Sequence, residues 1–301
     1  MKKPFDVEAH LAETAAAIDR TLDRLLPGVD VRPAIIHEAM RYSAIGAGKR
    51  LRACLALESA VAAGGDREAA LPLAAAIEMI HAYSLVHDDL PCMDDDDMRR
   101  GKPSNHKVFG EGIAVLTGDA LLTHAFDVLA NLPSLSNTSA EVALRIVAEI
   151  SRACGTGGLI GGQVVDLEAE GKPADAETLD FIHRNKTGAL FKASVRTGAM
   201  LGGASEQVLD RLTDYARHFG IAFQIVDDLL DVTGSPEKLG KATGSDAKLE
   251  KLTYPRLHGV EKSRQQARYH IEQAQRSLQP LGEENTVALR ALADFVLHRD
   301  K

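Results

Sequence analysis

Apolar residues recur three and four positions apart along nearly every long segment of the chain. Clear examples are FDVEAHLAETAAAIDRTLDRLL, LPLAAAIEMIHAYSLVHDD and EQVLDRLTDYARHFGIAFQIVDDLLDV. Residues at this spacing lie on one face of an α-helix, so the pattern predicts helices. The segments end at glycine, proline and aspartate clusters such as AAGGDRE and EGKPADA. We find no alternating strand pattern and no linker, and predict one all-α domain over residues 1–301, a single bundle of roughly ten helices.

Two segments, IEMIHAYSLVHDD and GIAFQIVDDLLDV, are apolar almost all round. Helices of that kind lie in the middle of a bundle rather than on its surface. A third segment, GGLIGGQ, places Gly157 and Gly161, and likewise Gly158 and Gly162, four positions apart. Small residues at this spacing allow two helices to approach closely. The segment lacks the GxGxxG order and a preceding strand, so it is not a dinucleotide-binding fingerprint.

Composition and charge narrow the class of protein. The net charge of −8 argues against nucleic acid as the main partner. No stretch approaches the roughly 20 apolar residues that span a membrane, and acidic residues stand where a secretory signal would be apolar. The three cysteines, Cys54, Cys92 and Cys154, form no CxxC pair, which favours a reducing compartment. We therefore expect a cytoplasmic protein without a membrane span.

The segment FQIVDDLLD carries acidic residues on an otherwise apolar helix. Gln224, Asp227, Asp228 and Asp231 fall at i, i+3, i+4 and i+7 and share one stripe. Buried carboxylates this close cannot all stay ionised without a cation. The stripe therefore indicates a metal site, the alternative being a capped helix end with a partly exposed acidic stripe.

A second acidic cluster, VHDDLPCMDDDDMRRG, spans residues 86–101. His81, Ser84 and Asp88 lie on one stripe of the preceding helix, and Pro91 interrupts regular helix, so Asp88 and Asp94 can converge only through a turn. Hard carboxylate oxygens suit Mg²⁺, which readily shares its shell with phosphate. A solvated acidic turn is the alternative, but two such clusters on the ends of apolar helices favour metal.

Basic residues accompany both clusters. GAGKRLR places Lys49, Arg50 and Arg52 within a predicted helical segment, and NKTG places Lys186 and Thr187 in mid-helix. The others are Arg99, Arg100, Lys241 and Lys251. Together with metal, these cations predict two diphosphate sites, one bridged by Mg²⁺ and one bound directly by lysine and arginine.

At this point the chain resembles the trans-isoprenyl diphosphate synthases. HDDLPCMDDDDMRRGKPSNH and FQIVDDLLD resemble the two aspartate-rich motifs of that family, and GAGKRLR, GGQVVDL, NKTGALF and KLTYP match further signatures in the family order. The likeness runs from residue 30 to the end. The first motif is most similar to that of bacterial farnesyl diphosphate synthases, which also carry the two extra residues seen here as Pro91 and Cys92.

The resemblance implies the fold, the reaction and its residues. The helices would surround a central prenyl-binding cavity, and the protein would be a homodimer. Three Mg²⁺ ions, with Mn²⁺ as a substitute, would bind Asp88, Asp89, Asp94, Asp227, Asp228 and Asp231. The allylic diphosphate would bind Arg99, Lys186, Thr187, Gln224, Lys241 and Lys251, and isopentenyl diphosphate would bind Lys49, Arg52, His81 and Arg100. The implied catalytic residues are Asp88, Asp94, Lys186, Thr187, Gln224 and Asp227.

Product length is implied by the same resemblance. The residue five positions before the first aspartate acts in this family as a floor under the growing chain, and here it is Tyr83, with Ser84 beside it. A tyrosine favours a C15 product, farnesyl diphosphate. Four alternatives remain: a geranylgeranyl diphosphate synthase, a non-catalytic synthase subunit, a terpene cyclase and a metal-dependent phosphohydrolase. The intact acidic motifs and the isopentenyl site argue against the non-catalytic subunit and the enzymes of other classes.

Overall fold

The computed structural model describes residues 5–46, 48–172, 175–233 and 252–299, and most of these residues lie in α-helices. The predicted all-α fold is confirmed, and eleven of the described helices have eleven residues or more. Numbered in chain order among the described residues, the helices are α1 Val7–Leu25, α2 Ala34–Ala44, α3 Leu51–Ala62, α4 Leu71–Asp88, α5 Asn105–Phe109, α6 Glu111–Ala130, α7 Leu132–Leu135, α8 Ala140–Cys154, α9 Leu159–Ala169, α10 Ala176–Ile182, α11 Gly188–Leu201, α12 Glu206–Thr233, α13 Tyr254–His258, α14 Val260–Ser277 and α15 Glu283–His298. A π-helical turn covers His183–Thr187, and a 3₁₀ turn covers Gln279–Leu281.

The sequence predicted no strand, but a small antiparallel hairpin follows the first acidic cluster. Strands β1 (Met98–Arg99) and β2 (Lys102–Pro103) pair Met98 with Pro103 and Arg99 with Lys102. Two residues per strand are too few to give an alternating hydrophobic pattern. The hairpin matters because it carries the arginines of the predicted diphosphate sites.

The helices that carry the acidic motifs lie in two adjoining apolar clusters. One cluster is built around α4, together with α1, α6 and α8, and the other around α12, together with α14 and α15. Helices α3 and α11 contribute buried residues to both clusters. The two acidic motifs are therefore held by helices that pack on opposite sides of the same α3–α11 pair.

The α3–α11 contact is unusually close at Gly198. A Cβ atom at this position would overlap the backbone carbonyl of Ala56. Only glycine allows the two helix backbones to approach this far. The contact fixes the distance between the α4 side and the α12 side of the fold.

The start of α3 corrects one prediction. Lys49 and Arg50 were predicted to be helical, but α3 begins at Leu51 and Arg50 has left-handed backbone dihedrals, with φ at 52°. Its buried guanidinium pairs with Asp19 at 2.6 Å and Glu78 at 3.1 Å. These contacts from distant parts of the chain outweigh the local preference for helix, since left-handed backbone costs an arginine only about 1–2 kcal/mol.

Glu78 is expected to be one of the main stabilising residues of this region. It is 3% exposed and accepts hydrogen bonds from Arg50 Nη1 and the Ala53 backbone N–H, each at 3.1 Å. Glu78→Ala would leave both donors unpaired, so we expect the free energy of unfolding to fall by about 3 kcal/mol in urea denaturation. Glu78→Gln keeps an acceptor and is the control, with a smaller expected loss. Equal losses in the two variants would contradict this role for the charge.

Helix α6 alone, among the described residues, has the length and apolar composition of a membrane span. Core helices of soluble proteins often share that composition, and α6 packs against α2 and α4. The apolar composition of α6 is therefore only weak evidence for a membrane span.

Candidate active site

A tight turn at the end of α4 brings Asp88 and Asp94 of the first motif together. The Asp94 backbone N–H donates to the Asp88 carbonyl at 2.9 Å, and Met93 N–H donates to the Leu90 carbonyl at 2.8 Å. The chain thus reverses over the residues around Pro91, as predicted from the proline. Asp88 and Asp94 are neighbours at the C-terminal end of a buried helix.

Asp89 faces a different environment from Asp88. It is 2% exposed and accepts hydrogen bonds from Arg99, whose Nε lies 2.9 Å from its Oδ1. A second Arg99 nitrogen also contacts Asp89 and lies 3.0 Å from Asp96 Oδ2. Asp89 therefore forms an ion pair with Arg99, and this pair fixes the position of the Arg99 side chain in the hairpin.

A hydrogen-bonded chain links the π-helical turn to α12. The Thr187 hydroxyl donates to Gln224 Oε1 at 2.7 Å, and Gln224 Nε2 donates to Asp228 Oδ1 at 2.9 Å. The other oxygen of Asp228 accepts from the Tyr254 backbone N–H at 2.8 Å and lies 3.3 Å from His183 Nε2. Because Asp228 can only accept, the amide nitrogen of Gln224 must face it. The Gln224 carbonyl is therefore held toward Thr187.

The remaining aspartates of α12 differ in exposure. Asp231 is buried, whereas Asp227 is exposed and accepts from Arg299 Nη2 at 3.2 Å. Arg299 is itself largely buried, donates to the Phe223 carbonyl at 3.0 Å and stacks on the Phe223 ring. The sequence analysis assigned no role to Arg299. Its place in LHRDK, at the end of the segment that resembles the family, was the one feature that could have indicated a role.

Lys186 lies in the π-helical turn His183–Thr187, which corrects the prediction of a regular mid-helix position. Such turns widen the helix and are frequent at functional sites. Its ammonium contacts Asp166 Oδ2 at 2.6 Å. The sequence analysis used GGQVVDL as a family signature but did not single out its aspartate, Asp166, which is buried and pairs with the half-buried Lys186.

Gly162 sets the position of this turn. A Cβ atom there would overlap the backbone nitrogen and Cα of Lys186, so α9 and the turn are in direct contact, as the glycine spacing predicted. We expect Gly162→Ala to displace Lys186 and lower kcat by about 10²-fold, measured as isopentenyl incorporation. Gly157→Ala is the matched control, because a Cβ there meets no atom within 4 Å. Near-normal kcat in Gly162→Ala would show that the turn tolerates the shift.

Three of the four predicted isopentenyl diphosphate ligands meet at one imidazole. His81 Nε2 lies 3.3 Å from Arg52 Nη1 and 3.2 Å from Arg100 Nη2. Guanidinium groups only donate, so Nε2 must be the unprotonated acceptor. Lys49 lies instead over the Phe295 ring of α15, with its Nζ 4.8 Å from the ring centre.

The electrostatics of this cluster indicate an anion site. Burial lowers the pKa of Arg52 to about 10, partly offset by Glu78. Burial together with Arg52 and Arg100 holds the pKa of His81 well below its ordinary value, so the imidazole is neutral near pH 7. The Arg52 Nε has no hydrogen-bond partner although it is buried. Two clustered guanidinium groups with an unused donor suit a diphosphate.

Tyr83 lies on α4 below the aspartate turn. It is buried in the apolar cluster around α4, packs edge-on against the His87 ring, and has a hydroxyl without a hydrogen-bond partner. Burial raises the pKa of Tyr83 above its ordinary value. Ser84, one position on, is also buried and donates to the His81 carbonyl at 2.9 Å.

The donor set fits divalent metal. Asp88, Asp94 and Asp227 offer only hard carboxylate oxygens, which suit Mg²⁺ in a shell completed by phosphate. Within the described part of the chain, side chains already gathered in threes at metal-ligand spacing belong to other residues, namely His10, Cys54 and Glu58, and Asp95, Asp97 and His106. Asp88, Asp94 and Asp227 are in neither group and would need diphosphate oxygens to complete a metal shell. Lys241 and Lys251 lie outside the described residues.

Comparison with known proteins gives one consistent result. The polyprenyl synthetase family model matches residues 33–287. The heterodimeric geranylgeranyl pyrophosphate synthase large subunit 1 of Arabidopsis thaliana is 46% identical over 298 residues, covering 98% of this chain and 80% of the relative. The farnesyl diphosphate synthase of Geobacillus stearothermophilus is 44% identical over 296 residues, covering 98% of this chain and 99% of the relative. The apo structure of an FPP/GFPP synthase from Zymomonas mobilis superposes with a TM-score of 0.85 at 40% identity, and the match covers 97% of this chain and 98% of that structure. The chain belongs to the polyprenyl synthetase family and is a prenyltransferase that elongates prenyl chains.

Proposed function

We propose that the protein condenses isopentenyl diphosphate head-to-tail with dimethylallyl and geranyl diphosphate to make (2E,6E)-farnesyl diphosphate. The observation that carries the proposal is a pair of differently equipped anion sites. One is built from cations alone, around His81, and the other from the carboxylates of α4 and α12 with Lys186. Two diphosphate substrates, only one of which must lose its diphosphate, require this asymmetry.

The allylic diphosphate would bind on the carboxylate side. Asp88, Asp94 and Asp227 would hold three Mg²⁺ ions, for which Mn²⁺ would substitute, together with the bound diphosphate. When bound, these ions supply positive charge to the leaving diphosphate. Asp89 and Asp228 support the site indirectly in this proposal. Asp89 accepts a hydrogen bond from Arg99, and Asp228 accepts hydrogen bonds from Gln224 and from the Tyr254 backbone N–H.

The reaction begins with heterolysis of the allylic C1–O bond, which leaves an allylic cation and free diphosphate. The isopentenyl double bond then attacks C1, and the new C–C bond places the positive charge on the isopentenyl unit. Loss of a C2 proton to the departed diphosphate restores a double bond. In this proposal Lys186 neutralises charge on the leaving group, and the hydrogen-bonded oxygens of Thr187 and Gln224 stabilise the neighbouring cation.

The fixed orientation of Gln224 is central to this stabilisation. Asp228 holds its amide so that the carbonyl, rather than the N–H₂ group, faces Thr187. Dipoles that are already oriented need no reorganisation when the cation forms. Apolar helices around the site exclude the water that would otherwise convert the cation to an alcohol.

Product length in this proposal is limited by Tyr83. Five residues of helix separate it from Asp88, a rise of about 7.5 Å, which is the scale of a short prenyl chain. Its hydroxyl makes no hydrogen bond, so nothing but packing requires a tyrosine here. The relatives include both farnesyl and geranylgeranyl synthases, and a C20 product is the alternative.

Product analysis tests the proposal. The purified protein would be incubated with Mg²⁺, labelled isopentenyl diphosphate and dimethylallyl diphosphate, and the dephosphorylated alcohols separated by chain length. Farnesol as the main labelled alcohol is expected. Geranylgeraniol would keep the chemistry and contradict the C15 assignment, and no incorporation by folded protein would favour a non-catalytic subunit.

We further propose that the protein is a homodimer, as the family resemblance implies. Helix α6 exposes the apolar side chains of Val115 and Leu116, which a second copy of the chain would cover. Light scattering of the purified protein is expected to give twice the chain mass of 32.3 kDa. A mass equal to one chain would contradict it.

A further inference from the structure

His106 is a buried imidazole without hydrogen-bond partners. It lies in α5, just after the hairpin, and is 6% exposed. Neither ring nitrogen has a hydrogen-bond partner. Leaving a buried polar group unpaired typically costs about 1–3 kcal/mol, so an imidazole in this position points to a ligand that is bound through nitrogen.

Two carboxylates lie next to this ring. One oxygen each of Asp95 and Asp97 and a ring nitrogen of His106 all lie within 4.8 Å of one another. Metal–nitrogen and metal–oxygen bonds of about 2.1 Å place ligands on opposite sides of an ion about 4.2 Å apart. The imidazole makes no hydrogen bond to either carboxylate, and the 4.8 Å limit is wider than a closed ligand shell, so a bound cation would draw the exposed side chains of Asp95 and Asp97 inward.

We propose that Asp95, Asp97 and His106 bind a divalent transition-metal cation of the Mn²⁺ or Zn²⁺ type. One imidazole with two carboxylates suits these ions, whereas Mg²⁺ prefers oxygen ligands alone. None of the three residues belongs to the set proposed above for the diphosphate-linked Mg²⁺ ions. The site is therefore a separate one, and its existence does not depend on the length of the product.

Its position gives the site a role in the hairpin. Asp97 directly precedes β1, and His106 follows β2 by three residues, so the ligands bracket the segment that carries Arg99 and Arg100. Ser104 already ties the two ends, because its N–H donates to the Asp97 carbonyl at 2.9 Å. A bound cation adds a second tie at the base of the hairpin and fixes the two arginines that face the diphosphate sites.

Asp97 has one other partner. Lys107 Nζ lies 2.7 Å from Asp97 Oδ1, on the exposed side of the cluster. A carboxylate carries two oxygens, so Asp97 can hold Lys107 and a cation together. Asp95 has left-handed backbone, with φ at 51°, a conformation that asparagine also adopts readily. Asp95→Asn therefore removes a ligand charge without straining the loop.

Pulsed electron paramagnetic resonance of Mn²⁺ bound to the substrate-free protein tests the site. A directly bound imidazole ¹⁴N modulates the electron spin echo of Mn²⁺. This modulation distinguishes the proposed site from the Mg²⁺ sites, whose proposed ligands are all carboxylates. We expect this modulation in the wild-type protein and its loss in His106→Gln, with folding checked by circular dichroism. His37→Gln is the control, and its ¹⁴N signal is expected to stay.

A second variant keeps the test decisive if His106→Gln does not fold. Asp95→Asn is expected to weaken Mn²⁺ binding at the nitrogen-containing site by about tenfold or more, since even groups behind a metal ligand contribute that much. Bound Mn²⁺ without ¹⁴N modulation in the wild type, or modulation that persists in His106→Gln, would overturn the proposal. Affinity unchanged in Asp95→Asn would do the same.

Discussion

Replacing Asp88 by asparagine is expected to lower kcat by at least about 10³-fold, equivalent to about 4 kcal/mol of activation free energy. Asp88 ends α4, and the turn that follows returns the Asp94 backbone to within 2.9 Å of its carbonyl. The amide would keep the shape of the side chain but remove the charge that holds Mg²⁺ on the leaving diphosphate. The turn should survive, because the main chain forms its hydrogen bonds.

Steady-state incorporation of labelled isopentenyl diphosphate measures this effect, and calorimetry without Mg²⁺ measures isopentenyl diphosphate binding separately. We expect binding to be retained, since that site uses cations alone. Asp210→Asn, on an exposed face of α12 about 25 Å along the helix from Asp227, is the matched control. A loss of less than tenfold in Asp88→Asn would remove Asp88 from the metal site.

The second large effect is expected at Arg52. Its guanidinium contacts His81 at 3.3 Å and stacks on the Phe191 ring, with its pKa lowered to about 10 by burial. Removing a buried charge that binds a diphosphate typically costs about 2–5 kcal/mol, so Arg52→Gln is expected to raise the KM for isopentenyl diphosphate by about 30-fold or more. The KM for the allylic substrate should change little.

A purely structural role for Arg52 would affect both substrates alike. Arg52→Lys keeps the charge but loses the two-nitrogen fork, and we expect an intermediate KM. Arg52→Gln also removes one of the charges that lower the pKa of His81, so that pKa should rise in an NMR titration. Arg211→Gln, on the exposed surface of α12, is the control. Equal changes in the two KM values would contradict the assignment.

The sequence was most informative where the signal is periodic. Spacings of three and four predicted the helices, and the i, i+3, i+4, i+7 pattern placed Gln224, Asp227, Asp228 and Asp231 on one helix. Pro91 predicted the turn that joins Asp88 to Asp94. These features depend on residues close together in the chain, where helix geometry alone decides which side chains share a face.

The sequence was least informative where distant segments meet. Left-handed Arg50 depends on Asp19 and Glu78, and Arg299 contacts Asp227, which lies 72 positions earlier in the chain. Neither contact has a local periodic signal. Asp228 accepts hydrogen bonds from Gln224 and from the Tyr254 N–H. The bond to Tyr254 could not be predicted from the sequence, because it forms only when two distant segments pack together.

The comparison of wild-type protein with Tyr83→Ala tests most directly the claim that Tyr83 limits the product to C15. Both proteins would elongate dimethylallyl diphosphate with labelled isopentenyl diphosphate, and the alcohols would be separated by chain length. Truncating a buried aromatic side chain typically costs about 3–5 kcal/mol of stability, so folding is checked first. Tyr83→Phe is the matched control, since the buried hydroxyl has no partner to lose. We predict farnesol from the wild type and Tyr83→Phe, and geranylgeraniol or longer alcohols from Tyr83→Ala. The same chain length from all three proteins would contradict the account.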